Sequence, residues 1–181
     1  EYLPYKLSDI LLKEISNTTK ARIVLEVVHA MNFIHKHGFI HRDLKIENIM
    51  LNESFTTKLV DFGLVRITEF IVDDISFFEE SLTKGVGTLS YMSPEMANEE
   101  NYDFKTDVYS FGIVLYVIFN GCLPKQSLKD KIARKKVQLP TPSDSISKFC
   151  IKLIEKCLSN EPSDRPSFEE ILTEMRANSY G

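Results

Sequence analysis

Residues 41–48 read His41-Arg42-Asp43-Leu44-Lys45-Ile46-Glu47-Asn48, and a second short stretch, Asp61-Phe62-Gly63, begins 18 residues after Asp43. From Ile40 to Leu51 polar residues fall irregularly, which predicts a loop that closes in a short strand, Asn48-Ile49-Met50-Leu51. Thr56 to Val60 reads as a second strand, and Asn52-Glu53-Ser54 fits the turn between them. Both acidic loops therefore hang from one hairpin. Upstream, Ile23, Val27, Met31 and Ile34 keep helical spacing in a segment that Thr19 can cap and Gly38 can end. Leu7 to Ile15 predicts a short amphipathic helix, and residues 1–6 an extended entry. Downstream, 61–95 keeps no period, as a long functional loop does. Helical patterning returns at 105–119, 127–136, 145–158 and 167–177, with Pro140, Pro142, Pro162 and Pro166 marking boundaries between some of these. The expected fold class is α+β, mostly α, with a small hairpin carrying the polar loops.

The 181 residues fit one domain or one large lobe, and 43% hydrophobic with 27% charged residues is the balance of a globular chain with a real core. A net charge of −4 argues against wholesale binding to nucleic acid or an anionic membrane. The strongly apolar run Val108–Phe119 is too short to span a bilayer, which takes about 20 residues, and predicts a buried helix. Cys122, Cys150 and Cys157 are odd in number and form no CxxC. Reduced core thiols and a cytoplasmic location are the expectation.

Ser93-Pro94-Glu95 closes the aperiodic stretch, so three motifs stand in order. Together they resemble the eukaryotic protein kinase family, whose catalytic loop reads HRDLxxxN, whose metal loop reads DFG and whose segment end reads APE. Phosphoryl transfer needs oxygen ligands for a hard cation and a carboxylate beside the attacking hydroxyl. The resemblance implies that Asn48 and Asp61 hold Mg²⁺ on ATP, and that Asp43 accepts the proton of a protein hydroxyl. Lys45 would meet the transferring phosphate, and Arg42 and Thr88 would complete the catalytic set. Glu1 and Leu3 would meet adenine, with Met50 beneath it. Lys45 and Gly87-Thr88 resemble the serine/threonine pattern, and Asp107-Val108-Tyr109-Ser110-Phe111-Gly112 the tyrosine-kinase-like branch.

The same resemblance assigns a scaffold. Asp107 would anchor the catalytic-loop backbone, Glu95 would pair with Arg165, and His41 would stack on Phe62. Arg42 and Arg66 could receive a phosphate placed on Ser81 or Thr83, with Ser76 behind them. The basic run from Lys129 to Lys136 reads as a solvated helix face. Gly85-Val86-Gly87 lacks the third glycine of a dinucleotide cradle.

A glycine-rich loop, a strand lysine and its glutamate partner, the small-lobe parts of the family pattern, do not occur in this sequence. Glu1-Tyr2-Leu3-Pro4 instead resembles the hinge between lobes. The expectation is a partial protein kinase domain, 1–181, comprising hinge and C-terminal lobe without the N-terminal lobe. It would act on a protein substrate, without nucleic acid or membrane, and be feeble in isolation. The alternative is a non-catalytic scaffold or docking lobe.

Overall fold

The computed structural model describes residues 2–13, 15–67, 86–139, 141 and 146–178, without the side chains of 86–88. In chain order the elements are β1 (Tyr5–Lys6), α1 (Leu7–Ile10), α2 (Asn17–Lys36), β2 (Phe39–Ile40), a 3-10 turn (Ile46–Asn48), β3 (Ile49–Leu51), β4 (Thr57–Leu59) and β5 (Arg66–Ile67). They continue as α3 (Val86–Tyr91), α4 (Pro94–Ala97), α5 (Lys105–Asn120), α6 (Leu128–Ile132), α7 (Lys148–Cys157), a second 3-10 turn (Pro162–Asp164) and α8 (Phe168–Asn178). The α+β, mostly helical class expected from the sequence is the architecture found.

Helix α5 organises the rest. Thr106 through Ile118 are buried without interruption, so no face of this helix is left for solvent. Gly121, at φ 75°, ends it in the left-handed conformation that glycine adopts without penalty. Gly112 is where α7 crosses: a Cβ there would lie 2.8 Å from Leu158 Cδ2 and 2.9 Å from Cys157 Cβ. Around α5 the buried faces of α2 (Ile23, Val27, Met31), α7 (Leu153, Ile154) and α8 (Phe168, Ile171) form one core. Leu64, Met92, Met96 and Ala97 make a second, smaller cluster under the loops.

The predicted hairpin is present: β3 pairs antiparallel with β4, Met50 opposite Lys58, and β1 adds on the other side of β3. Asn52 turns it, its Oδ1 accepting from the Ser54 and Thr56 amides at 3.0 and 2.9 Å. A second small sheet joins β2 to β5, Ile40 opposite Arg66. Several boundaries differ from the sequence reading. The cap of α2 is Ser16, whose Oγ accepts from the Thr19 amide at 3.1 Å, so Thr19 is a third-position residue and not the cap. Helix α1 stops at Ile10, short of Ile15, and leaves Leu12 exposed. Asn48 belongs to the 3-10 turn before β3. Cys157 is buried, but Cys122 is exposed and not a core thiol. Among the described residues no helix is long and apolar enough to cross a membrane.

Candidate active site

The site is built on Asp107, in the first turn of α5 and fully buried. Its Oδ2 accepts from the His41 amide and its Oδ1 from the Arg42 amide, each at 2.8 Å. His35 Nε2, from α2, lies 2.8 Å from the same Oδ2. One carboxylate thus satisfies two loop amides that no secondary structure could, and buried amides left unmet are costly. The rigidity is needed because Arg42 sits at φ 65°, a region that disfavours side-chain-bearing residues. The role expected of Asp107 is found in its hydrogen bonds. His35 was not singled out from sequence; its place in the last turn of a helix leading into the loop was the available signal.

Clamping residues 41 and 42 aims Asp43 inward, and it is 4% exposed. Lys45 Nζ lies 3.0 and 2.8 Å from the two Asp43 carboxylate oxygens. Asn48 Nδ2 donates to Asp43 Oδ2 and to the Asp43 carbonyl, both at 2.9 Å. Two acceptors at the Asn48 nitrogen fix the orientation of its amide, so its oxygen is the end turned away from Asp43. The Asn48 carbonyl in turn accepts from the Val60 amide at 3.0 Å, which places Asp61 one residue beyond that tie. Asp61 is exposed, at φ 62°, and its Oδ1 receives the Gly63 amide at a long 3.4 Å. The His41 and Phe62 rings meet at 5.2 Å, joining the two loops.

His41 is completely buried, and that burial pulls its pKa below the usual histidine value despite the opposing pull of Asp107, Asp43 and Asp61. Its Nδ1 accepts the Asp43 amide at 3.3 Å, the hydrogen bond of a neutral ring protonated on Nε2. Asp43 and Asn48 are in direct contact, and the tie from Val60 to Asn48 and the His41–Phe62 ring contact bring the loop of Asp61 alongside them. An amide oxygen and one carboxylate suit a hard cation that completes its shell with phosphate and water, the habit of Mg²⁺.

Other expected residues are placed as follows. Met50 is half-buried in the middle of β3 opposite Lys6, and Leu3 is half-buried just before β1. Glu1, the Thr88 side chain, and Ser76, Ser81 and Thr83 lie outside the described residues. The Arg42 guanidinium is engaged by Leu64 and Tyr102, Nε donating to the Leu64 carbonyl at 2.6 Å and an η nitrogen to the Tyr102 hydroxyl at 2.7 Å. Glu95 and Arg165 form a buried bidentate pair at 2.6 and 2.8 Å, with Arg165 Nε on the Ser159 carbonyl at 2.8 Å. Planar fork against planar carboxylate is the strongest form of such a pair. It staples α4 to the turn before α8. The basic run is corrected at one position: Lys131 is 1% exposed and belongs to the interior, because its amine is consumed by two backbone carbonyls.

Sequence comparison agrees with this geometry. The family model for the protein kinase domain matches residues 1–175, and the chain belongs to that family. A probable LIM domain-containing serine/threonine-protein kinase of Dictyostelium discoideum is 36% identical over 177 residues, covering 94% of this chain and 26% of the relative. The serine/threonine/tyrosine-protein kinase HT1 of Arabidopsis thaliana is 35% identical over 164 residues, 87% of this chain and 40% of its own length. The eIF-2-alpha kinase GCN2 of Schizosaccharomyces pombe is 34% identical over 179 residues, 92% of this chain and 11% of its length. The chain spans well under half of each of these relatives.

Proposed function

We propose that residues 1–181 are the hinge and large lobe of a protein kinase domain that transfers the terminal phosphoryl group of ATP to a serine or threonine hydroxyl of a protein. The observation that carries this reading is the convergence of Lys45 Nζ and Asn48 Nδ2 on the nearly buried Asp43 carboxylate, held by Asp107. In this reading Asp43 accepts the proton of the acceptor hydroxyl. That hydroxyl needs only to come within hydrogen-bond reach of a carboxylate whose position is already fixed. Lys45 neutralises Asp43 in the resting site and is the cation at hand for the transferring group.

Asn48 and Asp61 are the residues that would hold Mg²⁺, and Mg²⁺-bound ATP supplies the activated phosphoryl group when present. Asn48 meets that task with its amide already oriented, Asp61 from the exposed loop. Leu3 and Met50, with Glu1, are the adenine side, and Arg42 and Thr88 complete the catalytic set. The serine/threonine assignment draws on Lys45 and on the names of the relatives, and it makes a protein the partner. The test is phosphorylation of a degenerate Ser/Thr/Tyr peptide library by the full-length protein with Mg²⁺ and ATP. Phosphate on serine or threonine, reduced at least about 100-fold in Asp43→Asn, is expected. No transfer by the wild type, or transfer undiminished in Asp43→Asn, overturns the proposal.

A further inference from the structure

Three successive backbone carbonyls in the segment leading to Ser93 are each held by a side chain from the body of the lobe. Lys131 Nζ donates to the Ser90 carbonyl at 2.5 Å and to the Met92 carbonyl at 2.7 Å. Between them, the Tyr91 carbonyl accepts from Ser110 Oγ of α5 at 2.9 Å. Ser90 and Tyr91 end α3 and Met92 follows it, so these carbonyls lie where a helix has no further turn to bond and take side-chain donors instead. The segment is thereby fixed from both sides.

The lysine is unusual in how it gets there. It is 1% exposed, while its neighbour Ile132 is 46% exposed, the reverse of what a surface helix does. Its Nζ lies 5.3 Å from the Tyr109 ring centroid, and Arg165 Cζ lies 5.1 Å from the same ring, so the nearest cation is already paired with Glu95. Helix α6 is set rigidly enough to deliver it. Ser127 and Asp130 form a reciprocal capping box, Asp130's amide on Ser127 Oγ at 3.2 Å and Ser127's amide on Asp130 Oδ2 at 3.1 Å. Asn98 Nδ2 ties the helix end to the segment through the Ile132 carbonyl at 3.3 Å. Burying an amine is expensive, and a fold tolerates it where every hydrogen bond it makes is needed.

What the amine holds lies against the candidate active site. Tyr91 and Met92 line one small cavity together with Arg42 and Asp43. Tyr91 and Met92 are the buried backing of this wall, and Ser90, half-buried, carries it toward the surface. We propose that Lys131 is a positioning residue, which shapes the wall beside Asp43 against which the acceptor peptide lies. It touches neither the peptide nor the nucleotide. The proposal rests on the kinase reading above and deepens it on the acceptor side.

The test is Lys131→Met in the full-length protein, read by steady-state kinetics and by hydrogen exchange of the amides from 89 to 97. Losing two hydrogen bonds to backbone should raise the peptide KM about tenfold, with kcat and the KM for ATP changed less than about twofold. The amides from 89 to 97 should exchange faster, and those of 41–48 should not. Where Lys131→Met fails to fold, Ser127→Ala, at an exposed cap, carries the test, with a peptide KM raised about threefold through the loosened helix. Unchanged peptide KM and unchanged exchange in the folded variant overturn the proposal, and so does a fall in kcat at constant peptide KM. Were the wild type to transfer no phosphate, the kinase reading would fall while exchange at 89–97 still decided whether Lys131 holds the segment.

Discussion

Two loops hang from the same hairpin and are held in opposite ways. In 41–48 the backbone is clamped by Asp107, the guanidinium of Arg42 is engaged by Leu64 and Tyr102, and Asp43 receives Lys45 and Asn48. In 61–63 Asp61 is exposed, Phe62 is 52% exposed, and the hydrogen bond that turns the loop is 3.4 Å long. The loop that carries Asp43 is therefore finished by the fold, whereas the loop of Asp61 is an open rim. In the proposed function that contrast puts the order at the carboxylate facing the acceptor hydroxyl and leaves the metal side to be completed by what binds there. Positioning is expensive in entropy.

The comparison can be broken most directly at its centre. Asp43→Asn in the active full-length protein should lower kcat by about 10²–10⁴-fold in the peptide assay with little change in melting temperature. Asp107→Ala should act in the other currency: two buried amides and His35 lose their acceptor, and urea unfolding should show a loss of about 3–5 kcal/mol. A loss below about 1 kcal/mol would mean that the clamp is decorative. Gly112→Ala sharpens the picture from the core side, since the new methyl meets Leu158 and Cys157 at under 3 Å. It should cost about 1–3 kcal/mol by calorimetry, with the loops untouched.

A smaller effect concerns pH. Burial pushes the Lys131 amine down to about 7 in the fold, whereas an unfolded lysine titrates near its ordinary value of 10.5. Between those values the unfolded chain binds more protons, so stability contributed at this residue rises with pH from about 7 toward about 10. Urea midpoints at pH 7 and 9.5 should diverge more in the wild type than in Lys131→Met. Smallest of all, Asp61→Asn should move stability by no more than about 0.5 kcal/mol, because the side chain has so little to lose.

Much of this was legible in the sequence because local chemistry and motif spacing agreed. The hairpin, the turn at Asn52 and the interior helix expected at 105–119 follow from residue type and order, whereas the pairing of Glu95 with Arg165 followed from the family resemblance. What escaped was set by tertiary geometry. Ser16 takes the cap from Thr19 because the helix starts at Asn17, six residues before Ile23 opens its apolar stripe. His35 looks like any histidine near a helix end until Asp107 arrives from another helix. Lys131 reads as one of several exposed cations in a basic run, and only the docking of α6 beneath residues 90–92 turns it inward. Polar residues that serve a distant backbone leave no periodic trace, which is why these were missed and the apolar faces were not.

The left-handed backbone at residue 61 has a consequence for substitution there. Aspartate at φ 62° holds a conformation that glycine enters freely, and it has few contacts to compensate. Asp61→Gly relaxes the torsion and, in the proposed function, removes the carboxylate that would face the metal in the same stroke. The fold would give up nothing by that exchange, so the strain at residue 61 serves the carboxylate and not the packing.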